Sequence, residues 1–324
     1  LRRQRQMCIR DSYYMGIKHS VIIITYNQEI YISECIESVL GQSILPYELI
    51  ISDDCSTDNT WNIVREYQKK FPQIIKIYRN EKNIGINPHL NKIKQYPTGD
   101  LVNIVAGDDM LPEGILYKYS EFIKKNNLFV NVPFMIYTNS LLLSPDGTMR
   151  KVSNYINRKR TPLDLTCFHA MYIWETGMSI ELFKKTADIR TDIGYQADWL
   201  YHIDRTLLCE RYFYIDEPGY IYRENVGVTT SSHMTTLAES RYKVCQLLMN
   251  NYWGNLSFFP KWYVCFELYK SDYFVRQSII SYIKMLCLSP IILILPVNAP
   301  MRYNFRNLTP MFVRKIYKYF KSHF

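Results

Sequence analysis

SVIIITYNQEIYISECIESVLGQSILPYELIISDDCSTDNT, residues 20–60, contains the alternation that decides the fold. SVIIIT is a short β-branched run of the kind found in strands buried on both faces. In YISECIESVLGQ, Ile32, Cys35, Ile36, Val39 and Leu40 recur at helical spacing, and Gly41 marks a stop. YELIIS predicts a second buried strand. STDNTWNIVREYQKKF predicts a second helix with Ser56, Thr57 or Asp58 as caps. The same grammar continues through IIKIYR, NPHLNKIKQY and DLVNIVA to residue 106. Strands that alternate with helices of this length predict an α/β fold with a mostly parallel, doubly wound, Rossmann-like sheet and right-handed crossovers.

Beyond Pro112 the pattern loosens. A helix is expected over Glu113 to Asn126, then apolar VPFMIYTNSLLLS, then a hairpin at Pro145-Asp146-Gly147. NYINRKRTP (154–162) reads as a mobile polar loop. A helix around Ala197 to Leu208 precedes two expected strands, RYFYID and GYIYRE, and from Thr235 the pattern is helical and aromatic-rich. The expected organisation is a non-native or disordered leader over 1–17, a catalytic domain over 18–232 and a helical extension over 233–324. The catalytic domain divides into a nucleotide-binding half (18–127) and an acceptor half (128–232). The first dozen residues, LRRQRQMCIRDS, show no periodicity and resemble translated adapter sequence.

With 324 residues, 48% of them hydrophobic, the chain can build a large core. The net charge of +9 is concentrated at the ends. Residues 1–20 carry a net +4, residues 273–324 carry eight Lys or Arg and no acid, and residues 21–272 a net −3. A mildly acidic main body argues against a nucleic-acid partner. The basic tail, following the apolar stretch LCLSPIILILPV (286–297), predicts association of residues 286–324 with an anionic membrane surface, because twelve residues are too few to span one. Eight single cysteines form no Cys-x-x-Cys pair, which suits a reducing compartment. No secretory signal is read at the start, so a cytoplasmic location, peripheral on the inner face of the cell membrane, is expected.

Ligands of an open parallel sheet bind outside the carboxyl ends of its strands. Three polar clusters fall there: Thr25-Tyr26-Asn27, Asp53-Asp54 and Asp108-Asp109. Carboxylates of this kind suit a nucleotide, one accepting from a base or ribose and another holding a hard divalent cation. A cation would also offset repulsion between the neighbouring Asp108 and Asp109. The twelve glycines form neither GxGxxG nor GxxxxGK[ST], which disfavours dinucleotide dehydrogenases and P-loop ATPases.

The ordered set SVIIITYNQ, SECIESVLGQ, YELIISDDCSTDNT, NEKNIGI and GDLVNIVAGDDMLPEG resembles the family 2 glycosyltransferases of GT-A fold, over about residues 20 to 230. The resemblance implies an inverting, bacterial surface-polysaccharide type of enzyme that uses a nucleotide sugar. It implies a nucleoside pocket of Thr25, Tyr26, Asn27 and Asp53, with Asp53 on the base and Asn83 and Gly85 near the nucleotide. Asp54 is the second carboxylate, which either meets the nucleotide or only orders the loop. Asp108 would lie by the ribose and Asp109 would be the principal metal ligand, with Asp108 assisting, for Mg²⁺ or Mn²⁺. Where the family often writes Asp-x-Asp-Asp, this chain has Val105-Ala106-Gly107 before its pair. In Gln196-Ala197-Asp198-Trp199 the resemblance makes Asp198 the general base, although Ala197 stands where Glu is usual; Asp192 is the reserve. Trp199 is a candidate sugar or acceptor contact and equally a candidate core residue. Arg223, in YIYRENVGVTTSS, would pair with the diphosphate.

The implied function is transfer of a sugar, UDP-linked by preference, to a glycan or polyprenyl-linked glycan. A nucleotidyltransferase of similar fold would attack phosphorus and release pyrophosphate. An inactive glycan- or partner-binding module would show no turnover.

Overall fold

The computed structural model describes residues 16–152, 176–226 and 234–292. The expectations for residues 1–15, for the 154–162 loop and for the tail beyond 292 lie outside the described residues. The chain divides into two compact units, with 16–152 and 176–226 in the first and 234–292 in the second.

The first unit starts with β1 (His19–Thr25), α1 (Ile32–Leu40), β2 (Glu48–Asp53), α2 (Thr60–Lys70), β3 (Ile75–Arg79), α3 (Ile86–Ile93) and β4 (Leu101–Ala106). Every residue of β1 and β2 is buried, as continuous apolar runs require when helices cover both faces of a sheet. On α1, Ile32, Cys35, Ile36 and Val39 form the stripe that covers one face. The order β3-β2-β1-β4 is parallel throughout, so the direction of winding reverses beside β1. That reversal creates a crevice at the carboxyl edge.

The rest of the unit is α4 (Ile115–Lys125), β5 (Phe134–Leu143), β6 (Met149–Val152), β7 (Thr176–Ser179), α5 (Ile180–Lys185), α6 (Ala197–Leu208) and β8 (Arg211–Arg223). β7 is antiparallel between β4 and β5, and β8 runs parallel along the other edge of β5. The described residues thus form one mixed, mostly parallel eight-stranded sheet. The hairpin expected at Pro145-Asp146-Gly147 joins β5 to β6.

Two details depart from the sequence reading. RYFYID and GYIYRE are one continuous strand, β8, whose register against β5 shifts around Asn139 and Pro218. Pro218 cannot donate to a ladder, and an irregularity there absorbs the missing bond without ending the strand. β7, only four residues long, was not anticipated, because so short a segment carries no readable period.

The second unit contains α7 (Met234–Leu247), one π turn and one 3₁₀ turn, α8 (Phe258–Arg276) and α9 (Ile279–Ile292). Val244, Cys245, Leu248, Trp262, Val264, Phe266 and Met285 are buried in it. Glu267 is buried with them and pairs with Arg241 at 2.9 Å and Lys270 at 2.5 Å. Among the described residues, no helix is long and apolar enough to cross a membrane.

Candidate functional site

Strand register alone gathers the polar clusters. Thr25 lies opposite Asp53, Asp53 opposite Arg79, and Ile24 opposite Ala106, so four strand ends form one row at the carboxyl edge. The turns beyond them are joined to each other. Asn27 adopts φ 52°, a left-handed conformation that Asn tolerates better than most residues. Its N–H donates to Ser56 Oγ at 2.9 Å, and its Oδ1 accepts from Thr57 N at 2.8 Å. Tyr26, 42% exposed, presents its ring to solvent at this edge.

The two carboxylates after β2 behave differently. Asp53 is fully buried, accepting from the Ser56 N–H at 3.0 Å, from the Ser56 hydroxyl, and from Arg79 Nε at 3.0 Å. Burial raises its pKa, and the Ser56 and Arg79 donors partly offset that rise. The base contact expected of Asp53 is therefore not directly presented, since its oxygens face the turn and Arg79. Asp54, read as a nucleotide contact or as a residue that orders the loop, fastens the 80–85 loop. It accepts from Asn80 Nδ2 at 2.7 Å, Ile84 N at 3.0 Å and Gly85 N at 2.9 Å. Gly85 (φ 85°) opens α3, and Asn83 Oδ1 accepts from its N–H at 3.0 Å. Asn83 and Gly85 thus sit in the loop that Asp54 ties to the strand edge.

Gly107, which follows β4, has a tertiary reason to be glycine. A Cβ there would lie 2.4 Å from Gln28 Oε1 and 2.9 Å from Thr25 Oγ1. Thr25 donates to that same Gln28 oxygen at 2.8 Å, while the Gln28 side chain hydrogen-bonds Asp108. Asp108 and Asp109 are both buried. Asp109 Oδ2 accepts from the Tyr220 hydroxyl at 2.7 Å, and Oδ1 from Arg223 N at 2.7 Å. Burial, and then the charge of Asp108, push the Asp109 carboxyl up to about 7 despite those donors. Burial also raises Asp108, with Arg223 opposing it.

Arg223 Nε donates to the Asp108 carbonyl at 3.0 Å, its other end pairs with Glu34 of α1, and its guanidinium lies 4.9 Å from the Tyr31 ring centroid. It stands beside the acidic pair, as a diphosphate contact would, and Glu34 is its present partner. Beneath, the Cys35 thiol reaches the Ala106 carbonyl at 3.5 Å, and burial followed by Asp109 and Asp108 drive its pKa well up.

Asp198 lies in the first turn of α6. The chain before it is tied to α3: Asn87 Nδ2 donates to Gly194 O at 2.8 Å, and Asn91 exchanges two hydrogen bonds with Ile189, at 2.8 and 2.7 Å. Because Gly85 at the head of α3 is bonded to Asp54, these ties bring the start of α6 toward the same edge. Asp192, the reserve base, is exposed and held by Arg190 at 2.6 Å. Trp199, open to a sugar or acceptor contact or to a core position, is only 2% exposed on the inward face of α6, as the core alternative expects.

Sequence reasoning missed Gln28, Tyr31, Glu34, Arg79 and Tyr220. Tyr220 alternates with Tyr222 just before Arg223, a strand signal, but only the β8 register carries its hydroxyl to Asp109. Among the described residues no group of three or more His, Cys, Asp or Glu side chains is placed to hold a metal ion. Two buried hard-oxygen carboxylates, one with a strongly raised proton affinity, still fit a divalent cation that takes its remaining ligands from phosphate and water.

A parallel sheet that gathers carboxylates at its switch point defines a class, the doubly wound α/β domains that bind ligands at that edge. The particular family follows from sequence comparison. Residues 20–180 match the model of glycosyl transferase family 2, and through this domain the chain belongs to that family. It is 26% identical over 226 residues to the uncharacterized glycosyltransferase EpsJ of Bacillus subtilis, covering 65% of this chain and 62% of EpsJ. It is 32% identical over 112 residues to the poly(ribitol-phosphate) beta-glucosyltransferase of Bacillus spizizenii, covering 34% of this chain and 18% of that protein. The chain therefore spans less than two thirds of the length of each.

Solved structures share the fold at lower identity. Staphylococcus aureus TarS 1–349 in complex with UDP-GlcNAc superposes with a TM-score of 0.58 at 18% identity, over 84% of this chain and 79% of that one. The mannosyltransferase PcManGT of Pyrobaculum calidifontis, in complex with GDP-Man and Mn²⁺, gives a TM-score of 0.55 at 14% identity, over 96% and 84%. The mixed α/β sheet flanked by helices is the GT-A architecture.

Proposed function

We propose that the protein transfers a sugar from a nucleotide-sugar donor, a UDP-sugar by preference, to a glycan or polyprenyl-linked glycan, with inversion at the anomeric carbon. The observation that carries this reading is the buried Asp108-Asp109 pair at the switch point, braced by Tyr220 and Arg223 and facing the Thr25–Asn27 turn. Membership of glycosyl transferase family 2, the UDP-GlcNAc complex of TarS and the poly(ribitol-phosphate) substrate of a relative support the donor and acceptor classes.

In this reading the Tyr26 ring and the Asn27–Ser56 turn frame the nucleoside, with Asp53 reaching the base by exchanging its Arg79 contact. Asp109, assisted by Asp108, would hold Mg²⁺ or Mn²⁺, which supplies positive charge against the leaving diphosphate. Arg223 exchanges Glu34 for phosphate, and its fork geometry suits both. Asp198 takes the proton of the attacking acceptor hydroxyl as the new C–O bond forms and the bond to the diphosphate breaks.

Calorimetric titration of UDP and of GDP, with and without Mn²⁺, tests the reading. One nucleotide should bind in a metal-dependent manner, and Asp109→Asn should weaken that binding at least tenfold. Binding that is indifferent to both metal and Asp109 would remove the basis for the transferase reading.

A further inference from the structure

The side chains that α9 turns outward do not match an aqueous surrounding. Ile279, Ile280 and Ile283 are 73%, 67% and 54% exposed, and Lys284 and Cys287 are exposed beside them. At roughly 100° per residue these five positions share an arc of about 140° on the helix. The inward side carries Ser281 and Met285. The usual amphipathic arrangement is thus partly inverted, with three isoleucines out and a serine in.

The rotation of α9 is fixed by contacts within its own unit. The Ser281 hydroxyl donates to Asp272 Oδ2 on α8 at 2.5 Å, the Tyr282 ring lies 5.0 Å from Tyr273, and the Lys284 ammonium sits 5.0 Å from the Tyr269 ring centroid. The helix cannot roll its isoleucines under cover without breaking these contacts. Contiguous exposed apolar surface of this kind marks an interaction site.

We propose that this face of α9 docks the protein on an anionic lipid surface. Charge selects that occupant. Residues 273–324 carry eight Lys or Arg and no Asp or Glu, with Arg276 paired to Asp272 at 2.7 Å, so a second copy seated face to face would still oppose two strongly basic segments. An anionic headgroup layer instead complements them while the isoleucines enter the acyl boundary. With fourteen residues the helix is about 21 Å long, which suits lying in the interface and not crossing it. The inference is independent of the sugar-transfer reading.

The full chain is sedimented with vesicles of phosphatidylcholine alone, or with about one-third phosphatidylglycerol, at low and high salt. A triple variant, Ile279→Gln, Ile280→Gln and Ile283→Gln, is run alongside and preserves every charge. The expected result is binding to the anionic vesicles only, weakened by salt, and at least tenfold weaker in the variant with its unfolding temperature unchanged. Equal partitioning of variant and wild type would overturn the proposal, as would equal binding to neutral vesicles. A dimer in light scattering that the variant dissociates would assign the face to a second copy. A lowered unfolding temperature in the variant would assign it to packing against this chain's own C-terminal residues.

Discussion

Asp109 and Asp198 carry separate parts of the proposed chemistry, and substitution should separate them. Asp109 belongs to donor binding, held by Tyr220 and Arg223 within a buried nest. In the proposed reaction Asp198 would serve the acceptor step alone. Asp198→Asn keeps shape and removes the proton acceptor, so steady-state assays should show kcat reduced by about 10²–10⁴-fold, the range for a lost general base, with donor KM within a few-fold. A rise in donor KM with kcat intact would move Asp198 into the binding pocket. At this scale the sequence named both carboxylates and allowed that Asp54 orders a loop, but it could not name the donors that each would meet. Adjacent residues of the same type differ only in which donors the fold brings to them: Ser56 and Arg79 for one, the 80–85 loop for the other.

At the scale of elements, the functional edge is a set of turns latched to one another across strand ends. Asp54 is the latch for the 80–85 turn, holding Asn80, Ile84 and Gly85 and through them the head of α3. Asp54→Ala leaves buried donors without an acceptor, which costs about 2–4 kcal/mol when the partners stay partly buried. Urea unfolding should show that loss, and amide exchange at Ile84 and Gly85 should accelerate well ahead of exchange in β1. Because α3 also holds the 189–194 segment through Asn87 and Asn91, the same variant should lower activity through the placement of α6. If exchange at Ile84 stays slow, the latch is elsewhere.

For the molecule as a whole, stability should depend on pH through a histidine outside the site. His19 on β1 is buried, with Nε2 in a 2.7 Å hydrogen bond to Ser120 and Nδ1 unpartnered among the described residues. Burial lowers its pKa from 6.5 to about 4, so the folded protein keeps the ring neutral while the unfolded chain takes up a proton below pH 6.5. Its contribution to stability is present above pH 6.5 and is lost as pH falls toward 4, by about 2 kcal/mol between pH 7 and pH 5. Buried Asp109, raised to about 7, acts in the opposite direction over the same range, so the His19 contribution is read from chemical denaturation of wild type against His19→Gln. The stability at pH 7 minus that at pH 5 should be about 2 kcal/mol larger in wild type than in the variant. An unchanged difference in the variant would place the acid sensitivity on other groups, such as His89, whose pKa burial also lowers.

The alternating apolar periods of residues 20–106 determined the parallel half of the sheet, because strands buried on both faces and helices with one apolar stripe have few other ways to pack. They also placed Thr25, Asp53 and Asp109 at the same edge, since each ends a strand or lies in the turn after one. Tertiary structure alone decided what these groups touch. The brace of Tyr220 and Arg223 on Asp109 comes from β8, more than a hundred residues downstream, and no local pattern encodes a register against another strand. The burial of Trp199 depended on which side of α6 met the core. The outward isoleucines of α9 required knowing that Ser281, and not its apolar neighbours, had found the partner on α8. Periodicity carries the elements because it acts within a few residues; the partners of a polar side chain are set by distant segments that only folding brings near.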